Sequence, residues 1–297
     1  MGLKYISPVI CHIMKYRHSF HAGNFADVHK HVVLLALLRA LKKKDKGFLY
    51  LDTHAGRGSY DLSSPSTEAA SGIGRFGQAH PEAQELRDYA QLLGEFRAGP
   101  GRAHLYPGSP LIAASELRAQ DRALFVEQQG PEAHALEQAL VERDRAYRAR
   151  MSVERGDGFE RLRAALPPRE RRGLSFLDPP YENTQQDFGH VTRALAEALR
   201  RFPTGVLVAW YPIKDQRSTD SWLSGCAAAL SAPVLVSELW LYPRDARVAL
   251  NGSGLLIVNP PWLTLERMQV WLPQLQACLE VGDSAGNSAR MVSESAP

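Results

Sequence analysis

The sequence predicts an α/β fold: a doubly wound, seven-stranded mixed sheet with a small helical subdomain inserted after the first strand. Three observations carry this. Short apolar runs bounded by turn residues alternate with helical segments along most of the chain, the pattern of a sheet covered on both faces. The last two runs, residues 233 to 242 and 252 to 262, have only "PRDARVALN" between them, too short for a crossover helix, so they pair antiparallel. With 297 residues, 44% of them hydrophobic, the chain can bury the core of a large domain plus an insertion.

The first helix is "FADVHKHVVLLALLRALKKK", residues 25 to 44. Apolar residues crowd positions 32 to 38, Lys42 to Lys44 fall in the last turn where cations suit the helix dipole, and Gly23-Asn24 is a turn or cap signal. "GFLYLDTHAGRGSY" (47 to 60) is a strand running into a glycine loop. Next come the strands "RALFVEQ" (122 to 128), "MSVERGDGF" (151 to 159, with "ERLRAAL" as its helix), "RGLSFLDPPYE" (172 to 182, followed by the helix "VTRALAEALRRF") and "TGVLVAWYP" (204 to 212). Between the first two lies an anomaly. Asp52 and Glu127 are 75 residues apart, whereas an acid that follows a nucleotide-binding glycine loop normally falls about 20 residues on. The excess begins "LSSPSTEAASGIG" and holds one good helix, "PEAQELRDYAQLLGEF". Residues 61 to 107 are therefore expected as a helical insertion, and 16 to 60 with 108 to 281 as the main domain. "GSPLIAASEL" resumes the βα pattern, with Ser109 expected as N-cap and Pro110 at the first helical position. Residues 282 to 297 read as a disordered tail.

Composition narrows the class. No apolar run approaches the roughly 20 residues of a membrane helix, and the first residues lack a secretory pattern, so a cytoplasmic protein without a membrane partner is expected. Cys11, Cys226 and Cys278 are scattered, which argues against a disulfide framework or a four-cysteine zinc site. The net charge is only +3, yet residues 1 to 50 hold nine Lys/Arg against two acids and residues 143 to 172 hold ten arginines against five. Two basic zones on a near-neutral chain suit a polyanion. His18, His21, His29, His31 and His54 invite a metal reading, but His29 and His31, two apart on a helix, point to nearly opposite faces, and no metal is expected.

The chemistry lies at strand ends. Gly56 and Gly58 of "DTHAGRG" let a ligand approach the backbone, or simply make a turn. Asp52, Glu127 and Asp157 end or follow three successive strands, at the sheet edge where such folds bind ligands. A carboxylate after the second strand suits a ribose diol, and one after the third suits an adenine amino group. The fourth strand ends in Asp178, Pro179, Pro180 and Tyr181. Two prolines stop both helix and ladder. With a sulfonium methyl donor, S-adenosylmethionine, and an exocyclic amine as acceptor, this turn meets three demands. The amine's lone pair is conjugated with its ring. The Asp178 carboxylate and the Pro179 carbonyl can take both amino hydrogens and favour a pyramidal nitrogen, and the Tyr181 ring can stack the extruded base. A near-copy, "NPPW", ends the last strand beyond the antiparallel pair, far from the glycine loop, and Asn259 reads as a structural terminus. Nicotinamide-dependent oxidoreduction would use the same loop and acids but leaves "DPPY" without a role. DNA adenine-N6 methylation and non-catalytic RNA binding also remain open.

The stretches "YRHSFHAGNFADVHKHVVL", "FLYLDTHAGRGSY", "YPGSPL", "RGDGF", "RRGLSFLDPPYE", "WYP" and "GSGLLIVNPPW" together resemble the bacterial ribosomal RNA large subunit methyltransferase J family, from about Tyr16 to Trp271. The resemblance implies a Rossmann-like, class I S-adenosylmethionine-dependent methyltransferase that methylates the N6 amino group of an adenine in 23S ribosomal RNA, acting as a monomer on protein-free RNA. Asp178, Pro179 and Tyr181 remain the expected catalytic residues from the chemistry of their turn; carried over by position, the resemblance implies His31, His54, Ser109, Glu127, Asp157, Gly158 and Asp178 as cofactor contacts. It also implies Tyr16, His18 and Lys30 as contacts to the RNA. The chain departs from the family at its start, where residues 1 to 13 precede the usual beginning, so residues 1 to 15 are expected as an N-terminal extension, with Met14 a candidate initiator.

Overall fold

All seven expected strands join one sheet in a computed structural model, which describes residues 21–64, 66–243, 250–280 and 282–293. Residues 1 to 15, and with them Tyr16 and His18, lie outside the described residues. The strands are β1 (Leu49–Asp52), β4 (Arg122–Glu127), β5 (Met151–Arg155), β6 (Gly173–Leu177), β7 (Val206–Ile213), β8 (Val234–Trp240) and β9 (Gly252–Val258). An eighth, β10 (Gly286–Ser293), pairs antiparallel with β8, giving the order β10-β8-β9-β7-β6-β1-β4-β5. The expected disorder of the tail is thus corrected for residues 286–293. The edge of β8 offers unpaired backbone groups that a weakly apolar segment can satisfy, and Arg290 reaches the buried Glu238 at 2.8 Å. β1, β4, β5, β6 and β7 run parallel, while β9 runs antiparallel to both β7 and β8.

Strand order reverses between β1 and β6, since the chain moves outward through β4 and β5 on one side and through β6 and β7 on the other. Such a switch point opens a crevice at the carboxyl ends of the strands. Helices close both faces. α1 (Phe25–Lys42), α3 (Gln84–Arg97), α4 (Ser109–Glu116), α5 (Gly130–Arg143) and α9 (Thr264–Leu279) pack one core. α6 (Gly158–Ala165), α7 (Thr184–Arg201) and α8 (Gln216–Ala229) pack the other. Burial on both sides explains why β6 and β9 read as continuous apolar runs. No described helix is long and apolar enough to cross a membrane.

Two local features position the site. α1 begins at Asn24, whose side-chain oxygen accepts from the Asp27 N–H at 2.9 Å, while Asp27 accepts from the Gly23 N–H at 3.0 Å; this reciprocal cap fixes the first turn. Between β2 (Ser59–Asp61) and β3 (Leu105–Pro107), an antiparallel pair, lie α2 (Thr67–Ala69), a π-helical turn (Ala70–Gly74) and α3. The π turn docks on the start of α1: Ile73 N–H donates to the Gly23 carbonyl at 2.8 Å, and a Cβ on Gly72 would lie 2.3 Å from that same oxygen. The cap of α4 is Gly108, not Ser109 as expected, and Ser109 begins the helix. Its hydroxyl is used elsewhere, on Asp52.

Candidate active site

The glycine corner is built around two carboxylates. Asp52, at the end of β1, is fully buried. One of its oxygens accepts from Tyr50 Oη at 2.9 Å and Ser109 Oγ at 2.7 Å, and the other from the His54 N–H at 3.3 Å. Burial pushes its carboxyl up to about 6, against those hydrogen bonds. Asp52 therefore pins the loop to α4 from behind and does not line the sheet edge, as its place at a strand end had suggested. Glu127, at the end of β4, accepts from the Gly56 N–H at 2.9 Å and the Gln129 N–H at 2.7 Å. Each of its oxygens keeps further acceptor capacity for a diol. Gly56 and Gly58 hold φ of 63° and 80°, left-handed values that cost a side-chain-bearing residue energy. Asp157 is exposed and caps α6, one oxygen accepting from the Phe159 and Glu160 N–H groups, which leaves its other oxygen outward. Gly158 sits so close to β1 that a Cβ would fall 2.0 Å from the Thr53 carbonyl oxygen.

Asp178 stands across the switch point from this corner. β6 pairs with β1 so that Phe176 is level with Asp52, and Thr53 N–H donates to the Phe176 carbonyl at 3.0 Å. Two residues on, Asp178, Pro179, Pro180 and Tyr181 form one wall of a cavity of about 490 Å³, within the range of about 300–1,000 Å³ usual for small-molecule sites. The start of α1 lines it with Asn24, Phe25, Asp27 and Lys30, β7 and its end with Trp210, Pro212 and Lys214, and Glu68, Leu241 and Tyr242 lie along it too. Tyr181 is buried edge-on to Phe188 and Trp210, with its hydroxyl donating to the Trp210 carbonyl at 2.5 Å.

Lys30, expected at the RNA, is buried instead. Its ammonium lies 2.6 Å from Asp178 Oδ2, 2.8 Å from Asp27 Oδ1 and 5.5 Å from the centre of the Trp210 ring. Burial opposes the charge, but the two carboxylates outweigh it and raise the ammonium pKa above its usual value. Burial likewise pushes Asp27 up, and Lys30, with His31 adding to it, overcomes this to hold that carboxyl down at about 2. Any contact of Lys30 with RNA must be to a group that enters the cavity. His31 is 2% exposed, and its Nδ1 pairs with Tyr106 Oη at 2.8 Å. Burial lowers it to about 4, so it is neutral near pH 7. His54 pairs with Thr53 Oγ1 at 2.8 Å and meets the Phe159 ring edge-on. His29 is buried against the sheet between Ser237 and Ser253, at 3.0 and 3.1 Å, a packing role.

The structure thus brings Asp178, Pro179, Tyr181 and Lys30 to one cavity, and His54, Glu127, Asp157 and Gly158 to the neighbouring corner. Sequence reasoning missed Asp27 and Trp210. Asp27 carried a signal, an acid three residues ahead of Lys30 in a capped first turn; Trp210 had one in the "WYP" stretch, to which no role was attached. The arginine zone at 143 to 172 is partly spent within the protein: Arg148, Arg150, Arg161 and Arg169 pair with Glu137, Asp144, Glu154 and Glu170.

Residues 45–291 match the family model described as "Ribosomal RNA large subunit methyltransferase D, RlmJ". The chain is 38% identical to the ribosomal RNA large subunit methyltransferase J of Haemophilus influenzae and 40% identical to that of Escherichia coli, in each case over 90% of this chain and 94% of the relative. A solved structure from Legionella pneumophila superposes with a TM-score of 0.80 at 33% identity, covering 91% of this chain and 98% of that one. These matches span both the glycine corner and the Asp178 turn, and the chain belongs to the ribosomal RNA large subunit methyltransferase J family.

Proposed function

We propose that the chain transfers the methyl group of S-adenosylmethionine to the N6 amino nitrogen of an adenine in 23S ribosomal RNA, as a cytoplasmic monomer acting on protein-free RNA. One observation carries the reading: the Asp178-Pro179 turn walls a cavity large enough for a base, at the strand-order switch beside a glycine corner. That corner suits the cofactor. Glu127 offers a carboxylate to a ribose diol, Asp157 an outward oxygen to an adenine amino group, and Gly56, Gly58 and Gly158 allow backbone approach. His54 stands beside the corner, while His31 and Ser109 support it from behind through Tyr106 and Asp52.

When bound, S-adenosylmethionine supplies an electrophilic methyl group. Asp178 and the Pro179 carbonyl take the two amino hydrogens of the flipped adenine, which aims the nitrogen lone pair at that methyl. Tyr181 and Trp210 hold the base plane. Transfer would exchange the cofactor's carbon–sulfur bond for a nitrogen–carbon bond, and Asp178 or water would then take the proton that the charged nitrogen releases. Phosphate contacts by Tyr16, His18 and the lysines of the N-terminal zone hold the RNA, so binding weakens steeply with salt.

The test is methyl transfer from labelled cofactor to naked 23S ribosomal RNA, to assembled large subunits and to duplex DNA, with Asp178→Asn as the paired variant. Label in an adenine of naked RNA, with turnover cut by about 10²-fold or more in the variant while cofactor binding persists, is expected. Label only in DNA, or near-normal turnover by the variant, overturns the reading.

A further inference from the structure

We propose that Asp27 is a positioning residue for methyl transfer: it holds Lys30 from the side opposite Asp178 and supplies the surplus negative charge that the reaction requires. The inference rests on the function proposed above and concerns how the same cavity works.

The geometry separates three jobs. Lys30 Nζ is shared between Asp178 Oδ2 and Asp27 Oδ1, so it fixes the rotation of the Asp178 carboxylate. Among the described residues, Asp178 Oδ1 takes no hydrogen bond from the protein, which leaves it for the amino group. Asp27 itself cannot swing, because its second oxygen accepts from the Gly23 N–H and its own N–H is held by Asn24. Lys30 follows Asp27 by three residues on one helix face, so the pair is built into the first turn.

Charge decides why a second carboxylate is needed. During transfer a positive charge leaves sulfur and develops on the amino nitrogen, which needs a nearby negative potential. Lys30 with Asp178 alone is neutral. Adding Asp27 leaves one net negative charge on this triad, in a cavity that Phe25, Trp210, Pro179 and Leu241 also line, where fields are less screened than in water. Besides His21, the other charged groups along the cavity are Glu68 and Lys214, of opposite sign, which offset each other. Glu68 at the rim accepts from His21 and Asn24, and Lys214, donating to the Tyr181 carbonyl, adds the opposite sign. Asp27 also keeps the ammonium partnered when Asp178 takes up the proton, so no bare charge is left buried.

Asp27→Asn keeps the shape and the capping N–H while removing the charge; Asp27→Ser keeps a small polar group there. Wild-type labelling of 23S ribosomal RNA is run first and tests the underlying reading by itself. For the variants, kcat, KM for RNA, cofactor affinity and melting temperature are measured. The expected result is a fall in kcat of about tenfold or more, with KM and cofactor affinity within about threefold. The proposal is overturned if either folded variant keeps kcat within about twofold of wild type. It is also overturned if kcat, cofactor affinity and the melting transition collapse together in both variants, which marks a purely structural residue.

Discussion

Gly158→Ala is a small change with a calculable consequence. The added Cβ would lie 2.0 Å from Thr53 O, 2.8 Å from Thr53 C and 2.9 Å from Thr53 Cβ, and the closest of these is backbone. Thr53 cannot retreat, because its N–H and hydroxyl both donate to the Phe176 carbonyl, at 3.0 and 3.1 Å, in the centre of the sheet. The start of α6 must therefore move outward by about 1 Å or more to restore van der Waals contact, an overpacking that typically costs ~1–3 kcal/mol. At ~2–4 °C per kcal/mol for a chain of this size, a loss near 2 kcal/mol lowers the melting temperature by roughly 4–8 °C. The displacement carries Asp157, the cap of α6, and the Phe159 ring that meets His54. If Asp157 accepts one hydrogen bond from the cofactor, losing ~0.5–1.5 kcal/mol weakens S-adenosylmethionine by about two- to tenfold. Thermal melts and calorimetric titration of the cofactor read both effects. A variant with an unchanged melting temperature and unchanged affinity would show that α6 does not abut the glycine corner, and the placement of Asp157 in the site would fall with it.

Two further expectations concern regions outside the cavity. Asn259→Ala removes side-chain donations to the Pro203 and Gly205 carbonyls and leaves alanine at a φ of 52°, so unfolding becomes easier by about 1–3 kcal/mol while kcat per folded molecule is unaltered; a selective loss of kcat would return "NPPW" to contention as the reacting turn. Stability should also fall on acidification, because burial holds His29 down at about 3 and His31 at about 4 whereas the unfolded chain protonates both near 6.5, and Asp52, raised to about 6, returns only one proton's worth below pH 6, leaving a net loss of roughly 1.4 kcal/mol per pH unit between pH 6 and 4. Urea midpoints at pH 7 and pH 5 check this, and a midpoint higher at pH 5 contradicts it.

The sheet was legible because its central strands are buried on both faces and read as largely apolar runs, broken only by a serine in each of β6 and β9. β10 was not, for a reason outside its own residues. "GNSARMVS" is half-buried throughout and bonds mainly through its backbone to β8, so the information that makes it a strand sits on the unpaired edge some 50 residues earlier in the chain. Lys30 failed to declare itself for the same kind of reason. A lysine in a basic N-terminal zone is normally solvated, and only the meeting of α1 with a turn 148 residues later surrounds it with two carboxylates. Ser109 shows the limit at single-residue scale. Local rules give Ser-Pro a capping role, but a buried carboxylate within reach is a stronger claim on the hydroxyl.

The two proline turns show why strand direction, more than motif, determines which one can react. "DPP" and "NPP" differ by one residue at their start, and β6 and β9 flank the same strand, β7. Leu177 is level with Ala209 on β7, and the parallel chain then leaves toward the carboxyl edge, into the cavity under α1. Val258 is level with Leu207, and the antiparallel chain leaves toward the opposite edge, where Asn259 bonds the loop that precedes β7. Asn259 takes a left-handed φ there and spends its amide on two backbone carbonyls, whereas Asp178 keeps one carboxylate oxygen clear of the protein's own hydrogen bonds among the described residues. What separates the two turns is therefore place: whatever acceptors Asn259 retains lie at the edge away from the glycine corner, out of reach of a methyl donor bound there. The open oxygen of Asp178 lies on the corner's side, as the proposed reaction requires, and that difference follows from the direction in which each strand enters the sheet.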